Sequence, residues 1–283
     1  MTKTVLITGS SSGFGKDAAL LFKAKGWNVA ASMRTPSKAA AWTDPAGLFA
    51  PALDVTDATS IAEAVRATEL KFGRIDVLVN NAGFALLGPL EGATAADLKR
   101  QYDTNVLGLI AVTQAVLPGM RAAGGGTIVN ISSIGGRLTF PLLSAYHSTK
   151  FAIEGLTESL QYELAIHNIR VKLVEPGGSN TNFAAGSMTR NTHRAYAALV
   201  EGQASLFARL VANMPGPEKV AATIYRAATD DTTRLRYPVI AAPSLPVRRV
   251  IGARLWSLIM RRMVRRLVRQ GEQAGFRNEA EPR

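Results

Sequence analysis

The chain has 283 residues, three histidines and no cysteine, and 47% of its residues are hydrophobic against 19% charged. That balance belongs to a folded chain, and the missing thiols exclude disulfides, thiolate zinc sites, iron–sulfur clusters and a cysteine nucleophile. The net charge of +12 is uneven: residues 246–283 hold ten arginines and three glutamates, leaving only +5 on the first 245, so the basicity is a C-terminal feature and no nucleic-acid partner is expected.

A strand-like run begins at Thr4, so no leader peptide is expected. No stretch reaches the ~18 apolar residues of a spanning helix, and a cytoplasmic location is the default. The β-branched runs predict strands over Thr4–Thr8, Asn28–Ser32, Leu48–Leu53, Ile75–Asn80, Thr127–Ser132 and Ile169–Glu175. Helical patterns fall between them, over Gly13–Lys25, Ser60–Phe72, Ala95–Met120 and Ser144–His167. Gly26 suits the C′ position of the first helix, and Thr94 with Asp97 forms a capping signature. Strands alternating with helices mean right-handed crossovers. The expected fold is α/β, a single-domain Rossmann-type doubly wound parallel sheet with helices on both faces, occupying residues 1–245. Within it, 178–216 reads as an irregular or helical insertion beside the substrate. A basic amphipathic helix follows over 246–270, then a tail, 271–283, expected to be disordered. Scattered His147, His167 and His193 read as packing or surface residues, and no metal is expected.

The first strand runs into Thr8-Gly9-Ser10-Ser11-Ser12-Gly13-Phe14-Gly15 and a helix. Glycines let a backbone approach a pyrophosphate, and a helix N-terminus offers unpaired N–H groups and about half a positive charge. The other reading of such a cluster is a tight strand–helix turn. The second strand ends Ala31-Ser32-Met33-Arg34, with no carboxylate for ribose hydroxyls at its tip. Arg34 could grip a 2′-phosphate, with Ser10 adding a hydroxyl, or could be a solvated surface side chain. Asp54, followed by Val55, is either a partner for an adenine amino group or a helix cap.

Asn80-Asn81-Ala82-Gly83 follows the fourth strand, Ser132-Ser133 ends the fifth, and Tyr146-His147-Ser148-Thr149-Lys150 comes thirteen residues after Ser133. With the glycine run, Asn105, and Pro176-Gly177 before Thr181, these motifs resemble the short-chain dehydrogenase/reductase family from Thr4 to about Phe183. Residues 149–156 and 235–238 resemble its 17β-hydroxysteroid and retinol dehydrogenase branch. The resemblance implies catalysis by Ser133, Tyr146 and Lys150 with support from Asn105. It implies a dinucleotide held by Gly9, Ser10, Ser12, Gly13, Phe14, Gly15, Arg34, Asp54, Val55, Asn81, Ala82, Gly83, Tyr146, Lys150, Pro176, Gly177 and Thr181. It also implies a dimer or tetramer formed through the helices holding Asn105 and Tyr146.

The chemistry follows from the residues as well. Tyr146 and Lys150 are i and i+4, one face of a helix. A lysine charge ~4 Å from a phenolate contributes up to ~4 kcal/mol at an effective dielectric of ~20, about three pKa units. Tyr146 would then exchange a proton with a carbinol or carbonyl oxygen near neutral pH, with Ser133 holding that oxygen. Met33 and Arg34 together point to NADP(H). Family pocket positions here carry Phe84, Leu86, Leu87, Leu138, Phe140, Leu142, Leu143 and Phe183, either a lining for a hydrophobic ketone, aldehyde or secondary alcohol or, for several of them, core or dimer contacts. The C-terminal helix is either a lid or packing helix with solvated arginines, or an interfacial helix with Trp256 at the headgroup level, a peripheral membrane contact.

Overall fold

The computed structural model describes residues 2–178, 188–211, 214–240 and 244–278. Its centre is a six-stranded sheet of β1 (Thr4–Ile7), β2 (Asn28–Ala31), β3 (Val77–Asn80), β5 (Gly126–Ile131), β6 (Ile169–Pro176) and β8 (Arg236–Val239). The spatial order is β2-β1-β3-β5-β6-β8, and each neighbouring pair is parallel. Continuous apolar runs suit strands covered on both faces. In β1, Val5 and Ile7 point into one core and Leu6 into the other, and all three are buried.

Helices α1 (Gly13–Ala24) and α8 (Glu218–Thr229) close the first face, and α3 (Ala58–Phe72) and α5 (Gly108–Ala122) the second. Phe22 of α1 meets Trp27 and Tyr225 edge-on, with both ring-centre distances 5.1 Å. The long α6 (Ser144–Ala165) lies on the second side, where Ile153 meets Leu109 and Leu173. Successive connections from β1 run toward β2 on one side and toward β3 on the other. A crevice therefore opens between the tips of β1 and β3, the place where open α/β sheets bind ligands.

Several expectations are corrected. Leu48–Leu53 is not a strand; Phe49 bridges Ala30 of β2, and Ala52 bridges Met33 just beyond it. Pro51 lies between these, where a missing N–H interrupts the ladder. The single helix expected over Ala95–Met120 is α4 (Ala95–Tyr102), a π turn over Asp103–Leu107, and α5. Thr94 and Asp97 do form the capping box at its start. The insertion contains α7 (Ala197–Val211), and a two-stranded parallel sheet pairs β4 (Ala85–Leu87) with β7 (Met188–Arg190). A short α2 spans Ala40–Thr43.

The basic helix α9 runs Ser244–Gln273 and breaks at Gly252, whose φ of 70° is left-handed. The tail does not begin at Gly271: a Cβ there would stand 1.9 Å from the Ala198 carbonyl oxygen, and one on Gly202 would stand 2.0 Å from that of Leu267. Glycine at both crossings lets α7 and α9 approach backbone to backbone. Asn278 then accepts a 2.9 Å hydrogen bond from the Ala198 N–H at the start of α7.

Candidate active site

The glycine run after β1 forms a loop whose left-handed residues are Gly9 (φ 68°) and Gly13 (φ 56°). A Cβ on Gly9 would lie 2.8 Å from the Ala82 Cα, so only glycine lets the β1 and β3 tips come this close. Thr8 fastens them: its hydroxyl accepts from the N–H groups of Asn81 and Ala82, both at 3.0 Å. The Asn81 amide answers by donating to the Thr8 and Gly9 carbonyls, both at 2.9 Å. The exposed Ser11 and Ser12 lead into α1, where Ser12 is the N-cap residue but its side chain bonds none of the first-turn N–H groups. Those donors are left for a ligand.

The cleft above this loop has a volume of about 540 Å³. Gly9, Ser12, Gly13, Phe14, Arg34, Asp54 and Val55 line its first half, and Asn81, Ala82, Gly83, Ser133, Tyr146, Lys150, Pro176 and Gly177 its second. Two expected residues do not reach it. Ser10 is buried, and its hydroxyl donates 3.0 Å to the Ile7 carbonyl. The left-handed turn at Gly9 sends it inward, so it offers nothing to a phosphate. Gly15 instead packs the loop: a Cβ there would sit 2.5 Å from the Asn81 amide nitrogen. Thr181 and Phe183 lie outside the described residues.

Arg34 is exposed at the cleft rim. Burial pushes the Asp54 carboxyl up, but two hydrogen bonds from Thr56 and the nearby Arg34 charge outweigh it, and Asp54 titrates below its ordinary value. Helix α3 is capped by Asp57, which accepts from Thr59 and Ser60, so Asp54 is not the cap.

Ser133 leaves β5 in extended backbone. Its hydroxyl accepts from the Gly135 N–H at 3.0 Å and donates to the Pro176 carbonyl at 3.3 Å. Tyr146 stands in the first turn of α6 and lines the same cleft as Ser133. Burial drives the Tyr146 phenol up to about 12, and the nearby Ser133 hydroxyl only partly offsets it. One turn on, buried Lys150 donates 2.8 Å to the Ile131 carbonyl, with its nitrogen 5.7 Å from the Tyr146 ring centre. Burial lowers Lys150 to about 8 against the opposing pull of Glu154. In the free protein burial is the largest influence on Tyr146 and sets it above its ordinary value.

Asn105 does not touch the cleft. Buried in the π turn, its amide nitrogen donates to the Phe84 carbonyl at 2.8 Å and to Thr149 at 3.2 Å, and its oxygen accepts from the Phe84 N–H at 3.0 Å. It ties the loop after β3 to α6, one residue before Lys150. The π turn is a recurrent feature of functional sites, and no periodicity in the sequence marks it.

Of the expected apolar lining, Phe84 and Leu143 face the cleft. Leu86 and Leu87 are consumed by the β4–β7 pair, Leu138 is core, and the Phe140 ring packs on His147 and Trp256. Their places are taken by Met188, Thr189, Phe207 and Met214, which the sequence pattern does not single out. Arg137 faces the buried Glu175 instead of the cleft, at 3.3 Å. Burial and the neighbouring Glu154 raise Glu175 to about 7.

The profile of the short chain dehydrogenase family matches residues 3–192. An uncharacterized oxidoreductase of Schizosaccharomyces pombe is 38% identical over 207 residues, 73% of this chain and 87% of its own. Retinol dehydrogenase 8 of Homo sapiens is 40% identical over 190 residues, 64% of this chain and 60% of its own. Among solved structures, a short-chain dehydrogenase from Streptomyces avermitilis superposes with a TM-score of 0.78 at 36% identity, covering 93% of this chain and 99% of that one. A 3-ketoacyl-(acyl-carrier-protein) reductase from Brucella melitensis complexed with NADH gives 0.73 at 25% identity, covering 86% and 98%. ElxO with NADP bound gives 0.68 at 31%, covering 84% and 98%.

Proposed function

The chain belongs to the short-chain dehydrogenase family, and from that membership we propose that it is an NADP(H)-dependent oxidoreductase acting on a hydrophobic ketone, aldehyde or secondary alcohol. The observation that carries the reading is one constellation. Ser133 and Tyr146 share one cleft with Lys150, one helical turn after the tyrosine, beside a helix start with uncapped N–H groups and a basic strand tip.

A dinucleotide would fit this cleft: the open backbone at Gly13 and the α1 N-terminus would hold a pyrophosphate, Arg34 a 2′-phosphate, and Asp54 and Val55 would border the adenine. Bound NADP(H) would supply or accept the hydride. In reduction, Tyr146 donates its proton to the substrate oxygen, and in oxidation it takes one back. Ser133 holds that oxygen beside the phenol. Lys150, fixed by the Ile131 carbonyl, places a positive charge near the phenolate as it forms, where transition-state charge is worth stabilising. Asn105 keeps the Phe84 loop and α6 in register.

Apolar Phe84, Leu143, Met188, Phe207 and Met214 favour a hydrophobic substrate, and the likeness to retinol dehydrogenase 8 fits an apolar alcohol. We further propose a cytoplasmic dimer or tetramer through α5 and α6, supported by exposed Leu107, Phe151 and Ile166. The test is NADPH consumption over a panel of hydrophobic ketones and aldehydes, with Tyr146→Phe alongside. Turnover by the wild type and its loss in the variant are expected. No turnover across the panel, or equal rates in both, overturns the reading.

A further inference from the structure

The outer face of α9 takes no part in the fold or the cleft. Its inner face is used: Trp256 and Leu267 are buried, the Trp256 ring meets Phe140 at 6.2 Å, and Gly271 sits on Ala198. Trp256 therefore points into the protein and not toward a headgroup layer. Opposite it, Leu255, Leu258 and Ile259 are exposed, and just before the break Val250 is 85% exposed. Around this apolar tip stand Arg254, Arg261, Arg262, Arg265 and Arg266, all exposed. Among the described residues, no ion pair engages these five. Over Ser244–Gln273 the chain holds eight arginines and one glutamate.

We propose that this face of α9 docks on an anionic lipid surface, with Val250, Leu255, Leu258 and Ile259 entering the acyl boundary and the arginine collar meeting headgroup phosphates. Exposed aliphatic side chains inside a basic rim are what an interfacial helix requires. A second copy of this chain fits poorly, because the two collars would repel. Nucleic acid would meet the collar but leave the aliphatic tip unexplained, and no aromatic ring on this face offers a base a stacking surface. The position gives docking a consequence. Helix α7 packs on α9 and carries Phe207 into the cleft, so the mouth lies one helix away from the membrane plane.

The test is sedimentation of the full chain with phosphatidylcholine vesicles, with and without phosphatidylglycerol. Binding is expected only with the anionic lipid and should fall steeply with salt. Arg261→Gln with Arg262→Gln and Arg265→Gln should weaken it on the order of a hundredfold, at about fivefold per charge. Leu255→Ser with Leu258→Ser should weaken it at unchanged charge. Cofactor affinity in solution serves as the folding control, and it reports on the redox reading separately. Absence from anionic vesicles, equal binding by either variant, or a preference for RNA over vesicles overturns the proposal.

Discussion

Lys150 places its ammonium nitrogen 5.7 Å from the centre of the Tyr146 ring, and burial drives the two groups in opposite directions, Tyr146 up to about 12 and Lys150 down to about 8. Tyr146 is then the acid across the working range, and the group that titrates is the lysine. Below pH 8 Lys150 is a cation and can stabilise the forming phenolate; above it the charge is lost. The rate of carbonyl reduction should therefore be level up to about pH 8 and decline beyond. Glu154, one turn further along α6, holds the lysine pKa up, so Glu154→Gln should move the decline to lower pH. A profile rising through pH 8 would reject this assignment of the titrating group.

Arg34 should set the choice between cofactors. It borders the cleft at the tip of β2, where Met33 neither accepts ribose hydroxyls nor repels a phosphate. One or two charged hydrogen bonds at ~1.5–3 kcal/mol each, reduced by solvent, favour NADPH over NADH by about tenfold to a few hundredfold. With Ser10 turned inward and Ser12 neutral, the lower end is expected. Fluorescence titration of both reduced cofactors into wild type and Arg34→Ala decides it. Equal affinities in the wild type, or an unchanged NADPH affinity in the variant, would sink the idea.

Five of the six strands of the sheet, the order of motifs and the meeting of Ser133, Tyr146 and Lys150 in one cleft could be read from the sequence because each rests on local chemistry; the edge strand Arg236–Val239 was not among the expected ones. Parallel strands are apolar throughout, a glycine loop needs left-handed residues, and an i, i+4 pair shares a helix face. The errors came where partners distant in the chain decide the outcome. Ser10 looked available until the turn at Gly9 sent it toward Ile7. Leu86 has the residue type of a pocket wall, but Met188–Arg190 pairs with its strand, about a hundred residues later. Phe207 and Met214 line the cleft from a segment more than sixty residues past Tyr146, whose helix α7 packs on α9 across glycines at 202 and 271. Asn105 has a π turn that no hydrophobic period announces.

His147 should cost stability in acid. It is 4% exposed, and burial lowers it to about 4 from an ordinary 6.5. Between those values the unfolded chain binds the proton and the folded one does not. Stability is therefore complete above pH 6.5 and falls as the pH drops toward 4, by up to about 3 kcal/mol. Urea midpoints across this range should follow that slope, and an NMR titration of the His147 ring should show no protonation near pH 6. A ring that titrates at its ordinary value would mean the site is open to water.

Trp256 should couple the C-terminal helix to substrate binding without touching the cofactor. Its ring packs on Phe140, which lies in the segment leading to Tyr146, and it stands on α9, which packs on α7, the carrier of Phe207. Its indole nitrogen is buried without a hydrogen-bond partner among the described residues. The ring therefore contributes by volume, and its N–H is a cost of about 1–3 kcal/mol. Trp256→Phe removes that cost along with some contact, so it should come out near neutral. Trp256→Ala leaves a void, and large-to-small changes of this kind cost about 3–5 kcal/mol in a closed core. Here the loss should fall on the α7–α9 pair, since the sheet and the glycine loop lie elsewhere. KM for hydrophobic substrates should rise severalfold in Trp256→Ala while cofactor Kd holds, and Trp256→Phe should restore most of the difference. If cofactor affinity falls in step with substrate affinity, or if Phe does no better than Ala, the ring is not acting through the packing of α9 against the pocket wall.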